Sequence, residues 1–187
     1  MPLPPPTDRR ERLHVRSIVL EGWKREDGLW DMEARLTDTK DRDYPLASGV
    51  RKKGDAVHDM WVRLTIDRQF NVVEVAVSSD AVPYGGPYEG SCESIAPAYG
   101  RLKGLNLAQG FRRAVGEMFE GARGCSHITE LLLSLPTAAI QTFASEMQDV
   151  DDRHGKPFQL DRCHALETST ETVRRYYPRW FRGQNTG

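Results

Sequence analysis

Two cysteines and two histidines stand at the ends of segments whose patterns predict strands or helices. They are His58, Cys92, Cys125 and His127. Thiolate sulfur and imidazole nitrogen are ligands that suit zinc and iron in proteins, so the set indicates a site for a Zn or Fe ion. Cys125 begins a predicted helix, where the unpaired N–H groups and the helix dipole favour a thiolate. Taken singly, each cysteine has the alternative of being a packed core residue.

The spacing of these four residues is not that of a zinc finger. Cys125 and His127 are two positions apart, but Cys92 and His58 lie 33 and 67 residues upstream of Cys125. Only the tertiary fold can bring such residues together, as it does in most catalytic sites. The sequence therefore predicts one shared metal site assembled by loops at one end of the molecule.

Carboxylates near these residues are candidates for proton transfer. Glu130 follows His127 by about one helical turn, so it is a candidate general base or support for a metal ligand. Asp31, Glu33 and Asp38 are interpreted as an acidic face on the first hairpin, and Glu33 is the second catalytic candidate. For each carboxylate the alternative is a solvated surface position.

Strand patterns come first in the chain. Alternating apolar and polar residues predict hairpins over 14–38 and 57–78, the first with an Asp-Gly turn. His58 lies on the apolar face of its strand, so it should point toward the layer that covers this face. The charged segment 39–56 predicts a loop.

Helix patterns fill the second half of the chain. Helices are predicted near residues 93–102, 107–120 and 126–147, with Asn106 as the N-cap of the second. A short strand or hairpin is predicted around 163–177. Strands followed by helices, with no crossover helix between the strands, predict an α+β fold: an antiparallel sheet with three helices packed on one face.

Length and composition restrict the class of protein. The 187 residues predict a disordered leader over 1–13, a single domain over 14–180 and a flexible tail over 181–187. With 26 Lys+Arg against 27 Asp+Glu, the chain lacks the basic excess of a nucleic-acid binder. No apolar run is long enough to span a membrane, and no signal peptide is evident. Three cysteines indicate a reducing, cytoplasmic setting.

Two segments resemble a bacterial family known only as a domain of unknown function. They are His58–Met60 and Gly124–Leu131, which read HDM and GCSHITEL. Shorter stretches, Arg25–Trp30, Asp38–Lys40 and Leu160–Cys163, are similar to the same family. The resemblance spans about residues 14–180. It implies a stand-alone bacterial catabolic protein, with a small aromatic or acyl compound as substrate.

The order of strands, cysteines and helices also resembles the U-type iron–sulfur assembly scaffolds. Leu102–Leu107 is similar to their L-x-G-x-x-L segment, and Cys125 stands where their last cysteine precedes a helix. His58 stands where those scaffolds carry their first cysteine. This departure leaves two cysteines and two histidines in place of a three-thiolate platform.

Three functional hypotheses follow. The first is a metalloenzyme, a hydrolase or lyase, in which a Zn or Fe ion bound by the four residues acts on a small-molecule substrate, with Glu130 or Glu33 moving a proton. The second is a scaffold or carrier for iron or an iron–sulfur cluster. The third is a metal-free module that binds a small ligand. None of them involves nucleic acid or a membrane, and a homo-oligomer is left open.

Overall fold

The computed structural model describes residues 3–157 and 159–183, without the side chains of 145–154. Residues 1–2 of the predicted leader and 184–187 of the predicted tail lie outside the described residues. The chain divides into two compact units, residues 1–142 and 143–187. The prediction of a single domain over 14–180 stays a prediction.

Six strands form two sheets in the first unit. Their bounds are β1 His14–Lys24, β2 Trp30–Lys40, β3 Tyr44–Leu46, β4 Gly49–Arg51, β5 Ala56–Ile66 and β6 Val72–Ala81. The main sheet has the order β1-β2-β5-β6, and every neighbouring pair in it is antiparallel. Strands β3 and β4 form a separate small hairpin within the segment that the sequence predicted to be a loop. The predicted antiparallel sheet from two hairpins is confirmed.

Alternation explains which face of the sheet is buried. In β2 the even-numbered residues are apolar and buried, ending with Leu36, whereas the odd-numbered ones are partly exposed. Three even-numbered sheet residues contact helix α2, whose bounds are Ser126–His154: Arg16 contacts Glu130, Gly22 faces Thr142, and the ring of His58 contacts that of His127. The even-numbered face is therefore the one that α2 covers.

The first two predicted helices differ from the helices in the structure. The segment Ala96–Leu102 is a 3₁₀ helix, with a proline near its start and a glycine in its interior. Helix α1 runs over Phe111–Phe119, and its N-cap is Gly110, in the left-handed region at φ 69°. The prediction that Asn106 caps this helix is wrong: its side chain donates to the Gln69 carbonyl and to Asn71, which ties it to the β5–β6 turn.

The second unit is helical where the sequence predicted a strand. Helix α3 occupies Glu171–Tyr176, preceded by a 3₁₀ turn over His164–Leu166. The hydroxyl of Thr170 caps α3 by accepting from the backbone N–H of Val173, which is a local helix signal that the strand prediction for 163–177 missed. In the described part of the chain, no helix has the length and apolar character needed to cross a membrane.

Candidate metal centre

One row of residues crosses three strands at the end of the main sheet. Arg16 on β1 lies directly opposite Asp38 on β2, which lies directly opposite His58 on β5. Residues opposite each other on antiparallel strands point to the same face, here the one covered by α2. Regular pairing of β2 with β5 shifts immediately after Asp38. The row therefore stands at the last regular position of the β2–β5 pairing.

Asp38 is the buried centre of this row, with 2% of its surface exposed. Its Oδ1 accepts hydrogen bonds from Arg16 Nε at 2.9 Å and lies 2.8 Å from His14 Nε2. Its Oδ2 accepts from Arg16 Nη2 at 2.7 Å and lies 3.0 Å from His58 Nδ1. Burial alone would raise the pKa of Asp38, but the hydrogen bonds from Arg16, His14 and His58 hold it well below its ordinary value. Asp38 is an ionised carboxylate at neutral pH.

His127 closes the cluster from the side of α2. Its ring lies 3.9 Å, centroid to centroid, from that of His58, and its Nε2 is 3.7 Å from Asp38 Oδ2. Burial lowers the pKa of both histidines, and the neighbouring charges of His58 and Arg16 lower that of His127 further. Both imidazoles are therefore neutral at pH 7, the form in which histidine binds a metal.

The start of α2 is fixed in place by Tyr99. The carbonyl of Cys125 accepts the first intrahelical hydrogen bond, from Thr129 N–H at 2.9 Å, so Cys125 is the N-cap. The Cys125 N–H donates to the hydroxyl of Tyr99 at 2.7 Å, and the buried Tyr99 ring stacks on Phe119 at the end of α1. Because His127 is two residues into this helix, the same contacts set its position.

Arg16 and His14 connect the buried Asp38 to the solvent-exposed edge of the cluster, which we call the rim. Arg16 Nη1 donates to Glu130 Oε2 at 2.5 Å, so the guanidinium bridges the buried Asp38 and the more exposed Glu130. The side chains of His14 and Glu130 keep 36% and 42% of their surface exposed. The cluster therefore reaches solvent on this side.

The geometry suits a single metal ion. Asp38, His58 and His127 each offer one ligand atom, and these three atoms lie within 4.8 Å of one another. Two ligands bound to one tetrahedral ion at about 2.1 Å lie about 3.4 Å apart. The 3.0 Å and 3.7 Å separations of His58 Nδ1 and His127 Nε2 from Asp38 Oδ2 bracket that value.

The predicted ligands are only partly brought together. His58 and His127 are in contact, and Cys125 Sγ is 3.8 Å from His127 Nδ1. Within the described residues, neither cysteine belongs to the three-residue group that could hold a metal ion. The half-buried Cys92 donates its backbone N–H to the Tyr84 carbonyl. The four-residue ligand set therefore stays a prediction.

The two predicted catalytic carboxylates have different positions. Glu130 lies at the rim, bonded to Arg16. Glu33 is on the opposite face of the sheet, where it accepts a hydrogen bond from Arg63. Because Asp38 points to the other face of the same strand, Glu33 is not positioned to act on a ligand of this cluster.

Asp38, His14 and Arg16 were the residues that sequence reasoning missed. Asp38 was interpreted as part of an acidic face with Asp31 and Glu33, and that interpretation is wrong because Asp38 is even-numbered and faces α2. The signal was in the alternation itself: a carboxylate continued the buried apolar series that ends at Leu36. A charged residue at an apolar position is a strong indication of a site.

The fold and the cluster together define an α+β protein with a candidate Asp/His/His metal centre. Residues 14–141 match the family described as "Protein of unknown function (DUF2889)", and the chain belongs to this family. The match contains every residue of the cluster and ends next to the boundary of the first compact unit. No curated protein and no solved structure matches the chain.

Proposed function

We propose that this protein is a metal-dependent enzyme whose Zn or Fe ion is held by Asp38, His58 and His127. The observation that supports it is the convergence of three ligand atoms within 4.8 Å at the end of the sheet. Three further facts add to it: the carboxylate is ionised, the histidines are neutral, and the cluster opens to solvent.

The types of the three ligand residues limit which metal ions the site could bind. Two imidazoles with one carboxylate are found in catalytic zinc sites and in non-haem iron(II) sites. Three protein ligands leave positions open for water or substrate, which is the difference between a catalytic and a structural site. Bound there, the ion would supply a Lewis acid that polarises a carbonyl group and activates water, the chemistry of a hydrolase or lyase.

The surrounding residues have separate tasks. His14 and Arg16 hydrogen-bond the Asp38 carboxylate and fix its orientation, as outer partners do in metal sites generally. Glu130 is the exposed carboxylate nearest the mouth, and its position makes it the candidate to accept or deliver a proton. The substrate would be a small molecule, of the aromatic or acyl type, that approaches from this side.

Metal titration of the chelator-treated protein tests the proposal. The wild type should bind about one zinc or iron(II) ion per chain. H58A and H127A should each lose at least about a hundred-fold in affinity, and H164A, which removes an exposed histidine of the second unit, should bind as the wild type does. Absence of binding, or equal binding by all variants, would overturn the proposal. Acid-labile sulfide in the purified protein would instead support the scaffold hypothesis.

A second candidate function uses the thiol of Cys125. Cys125 Sγ lies 3.8 Å from His127 Nδ1, and the other nitrogen of that ring faces Asp38. A thiol, an imidazole and a carboxylate in this order are the arrangement of a nucleophile, its base and the group that orients the base. In an acyl transfer the sulfur would attack the ester carbonyl, His127 would take the thiol proton, and the alcohol would leave.

Acetylation by p-nitrophenyl acetate distinguishes the two candidates. If the thiol is the nucleophile, the metal-free protein should form a thioester at Cys125 faster than at the exposed Cys163, and H127A should abolish the difference. Equal or faster modification of Cys163, measured by mass spectrometry of peptides, would dismiss this candidate and leave the metal proposal standing.

A further inference from the structure

Two cations of the segment 40–51 have no carboxylate partner among the described residues. Lys40 ends β2, and its Nζ lies 5.0 Å from the centroid of the Tyr44 ring. Arg51 lies directly opposite Tyr44 across the β3–β4 hairpin, so their side chains share a face. Within the described residues, no ion pair forms at Lys40 or Arg51. We call Lys40, Tyr44 and Arg51 the cationic corner.

The Arg51 guanidinium has one hydrogen bond to the backbone and one nitrogen without a hydrogen-bond partner. Its Nη2 donates to the Val82 carbonyl at 2.8 Å, while its Nε is buried and has no hydrogen-bond partner. Ser48 on the same hairpin donates to the Pro83 carbonyl, so the hairpin is fixed against this segment. A buried guanidinium nitrogen without an acceptor is costly unless an acceptor arrives from outside.

Two acidic residues of this loop, the ones nearest Lys40 in sequence, are already engaged. Asp41 pairs with Arg12 at 2.7 Å, and Asp43 pairs with Lys52 at 2.9 Å. Asp43 also accepts the backbone N–H of Lys53. These two carboxylates therefore bind cations other than Lys40 and Arg51.

Register connects the cationic corner to the metal centre. Lys40 lies directly opposite His14, whose Nε2 is 2.8 Å from Asp38. Cross-strand partners of this kind have Cβ atoms about 5 Å apart. A small molecule with its reacting group at Asp38, His58 and His127 could therefore place another end near Lys40.

We infer that the cationic corner binds the anionic oxygen group of a small organic molecule, a carboxylate or a phosphate. Lys40 and Arg51 supply the charge and the N–H donors, and the Tyr44 ring supplies an apolar wall for the adjoining part of the molecule. Anion binding here does not depend on the metal. The statement that this anion is one end of the substrate rests on the proposed function.

Titration of the full-length, metal-free protein tests the inference, with benzoate, inorganic phosphate and benzamide as probes. Benzoate or phosphate should bind, and benzamide, which has the shape of benzoate without its charge, should bind at least about ten-fold more weakly. Tighter binding of phosphate would assign the site to a phosphate group, and tighter binding of benzoate to a carboxylate. Failure of both anions to bind, or equal binding of benzoate and benzamide, would overturn the inference.

Charge-removal variants locate the site. K40M and R51Q should each weaken anion binding by about ten-fold, whereas K53M, which removes an exposed lysine of the same loop, should not. If R51Q does not fold, K40M decides alone, because the Lys40 side chain contacts the face of the Tyr44 ring and its loss leaves no buried group unpaired among the described residues. Binding by K40M equal to that of K53M would refute the location. Zinc titration of K40M separates this outcome from a failure of the proposed function, since its metal affinity should be unchanged.

Discussion

Asp38 is the residue on which the cluster depends. Arg16, His14 and His58 all contact its carboxylate, and all three would lose a charged acceptor if it were neutral. Hydrogen bonds to a charged group are stronger than neutral ones, and an ion pair broken on one side leaves the other charge uncompensated. At the residue scale, the stability of this end of the sheet and the capacity to bind a metal therefore come from the same side chain.

Replacing Asp38 by Asn should lower the free energy of unfolding by about 2–4 kcal/mol, because three partly exposed partners lose the buried carboxylate that they share. The matched control is E33Q, on the opposite face of the same strand, where Glu33 forms a half-exposed pair with Arg63. That change should be less than about 1 kcal/mol. Urea unfolding of the metal-free proteins measures both, and a D38N effect no larger than that of E33Q would contradict the description of the cluster.

The two histidines should make the metal-free protein less stable in mild acid. Burial lowers the pKa of His58 and His127 below their ordinary 6.5. Between the lowered value and 6.5 the unfolded chain binds protons that the folded chain does not, so the free energy of unfolding falls as pH drops through this range.

Urea unfolding between about pH 7.5 and about pH 5.5 measures this dependence. H127Q removes one of the two titrating groups and should make the dependence shallower. H164Q, a change at an exposed histidine, should leave it as in the wild type. A wild-type stability that rises toward acid would contradict the lowered pKa values.

At the element scale, the register between β1 and β2 and the fit of α2 on the sheet bring the cluster together. Gly22 on β1 lies so close to α2 that an added Cβ would be 2.0 Å from Thr142 Oγ1. Toward the other end of the same strand, Arg16 contacts Glu130 in the first turns of α2. Helix α2 and strand β1 are therefore in contact at both ends of their interface. This packing places His127 beside His58.

The G22A substitution should destabilise the protein by about 1–3 kcal/mol, because the new methyl group would overlap Thr142. T142A in the same chain should recover most of this loss by removing the obstructing atoms. G116A in helix α1, where nothing lies within 4 Å of the added carbon, should be neutral or stabilising by up to about 1 kcal/mol. Thermal unfolding of the four proteins measures these effects, and a G22A variant as stable as G116A would refute the close contact.

Local patterns predicted the sheet well and the helical connections poorly. Alternation marks both faces of β2 and β5, so the hairpins and the inward direction of His58 followed from the sequence. The 3₁₀ segment at Ala96–Leu102 and the N-cap at Gly110 depend on long-range contacts, as when Asn106 bonds the β5–β6 turn instead of α1. Tertiary contacts override local helix signals in this part of the chain.

The composition of the site was beyond sequence reasoning for a related physical reason. His58 and His127 could be chosen by residue type, but the nearness of Asp38 to them depends on which strands are neighbours and in which register. A single chain without its pairing pattern does not reveal that Arg16, Asp38 and His58 form one row. Knowledge of the register would have been sufficient to identify Asp38.

At the scale of the whole molecule, a metal ion would connect parts of the first unit that are distant in sequence. Asp38 is on β2, His58 on β5 and His127 on α2. Zinc should therefore slow amide hydrogen exchange at the start of β5 and in residues 128–131 of α2, because binding to the folded state suppresses local opening. Exchange in H127A should not respond to zinc, and a uniform response of all segments would point to binding elsewhere.

In the proposed site, two imidazole nitrogens, from His58 and His127, and a carboxylate oxygen from Asp38 hold the metal. X-ray absorption at the metal edge of the zinc-loaded or iron-loaded protein tests it most directly, because sulfur scatters at a longer distance than nitrogen or oxygen. We expect a shell of nitrogen and oxygen at about 2.0–2.2 Å with the outer-ring scattering of two imidazoles. A sulfur shell at about 2.3 Å would contradict this claim and would favour the ligand set that includes Cys92 and Cys125.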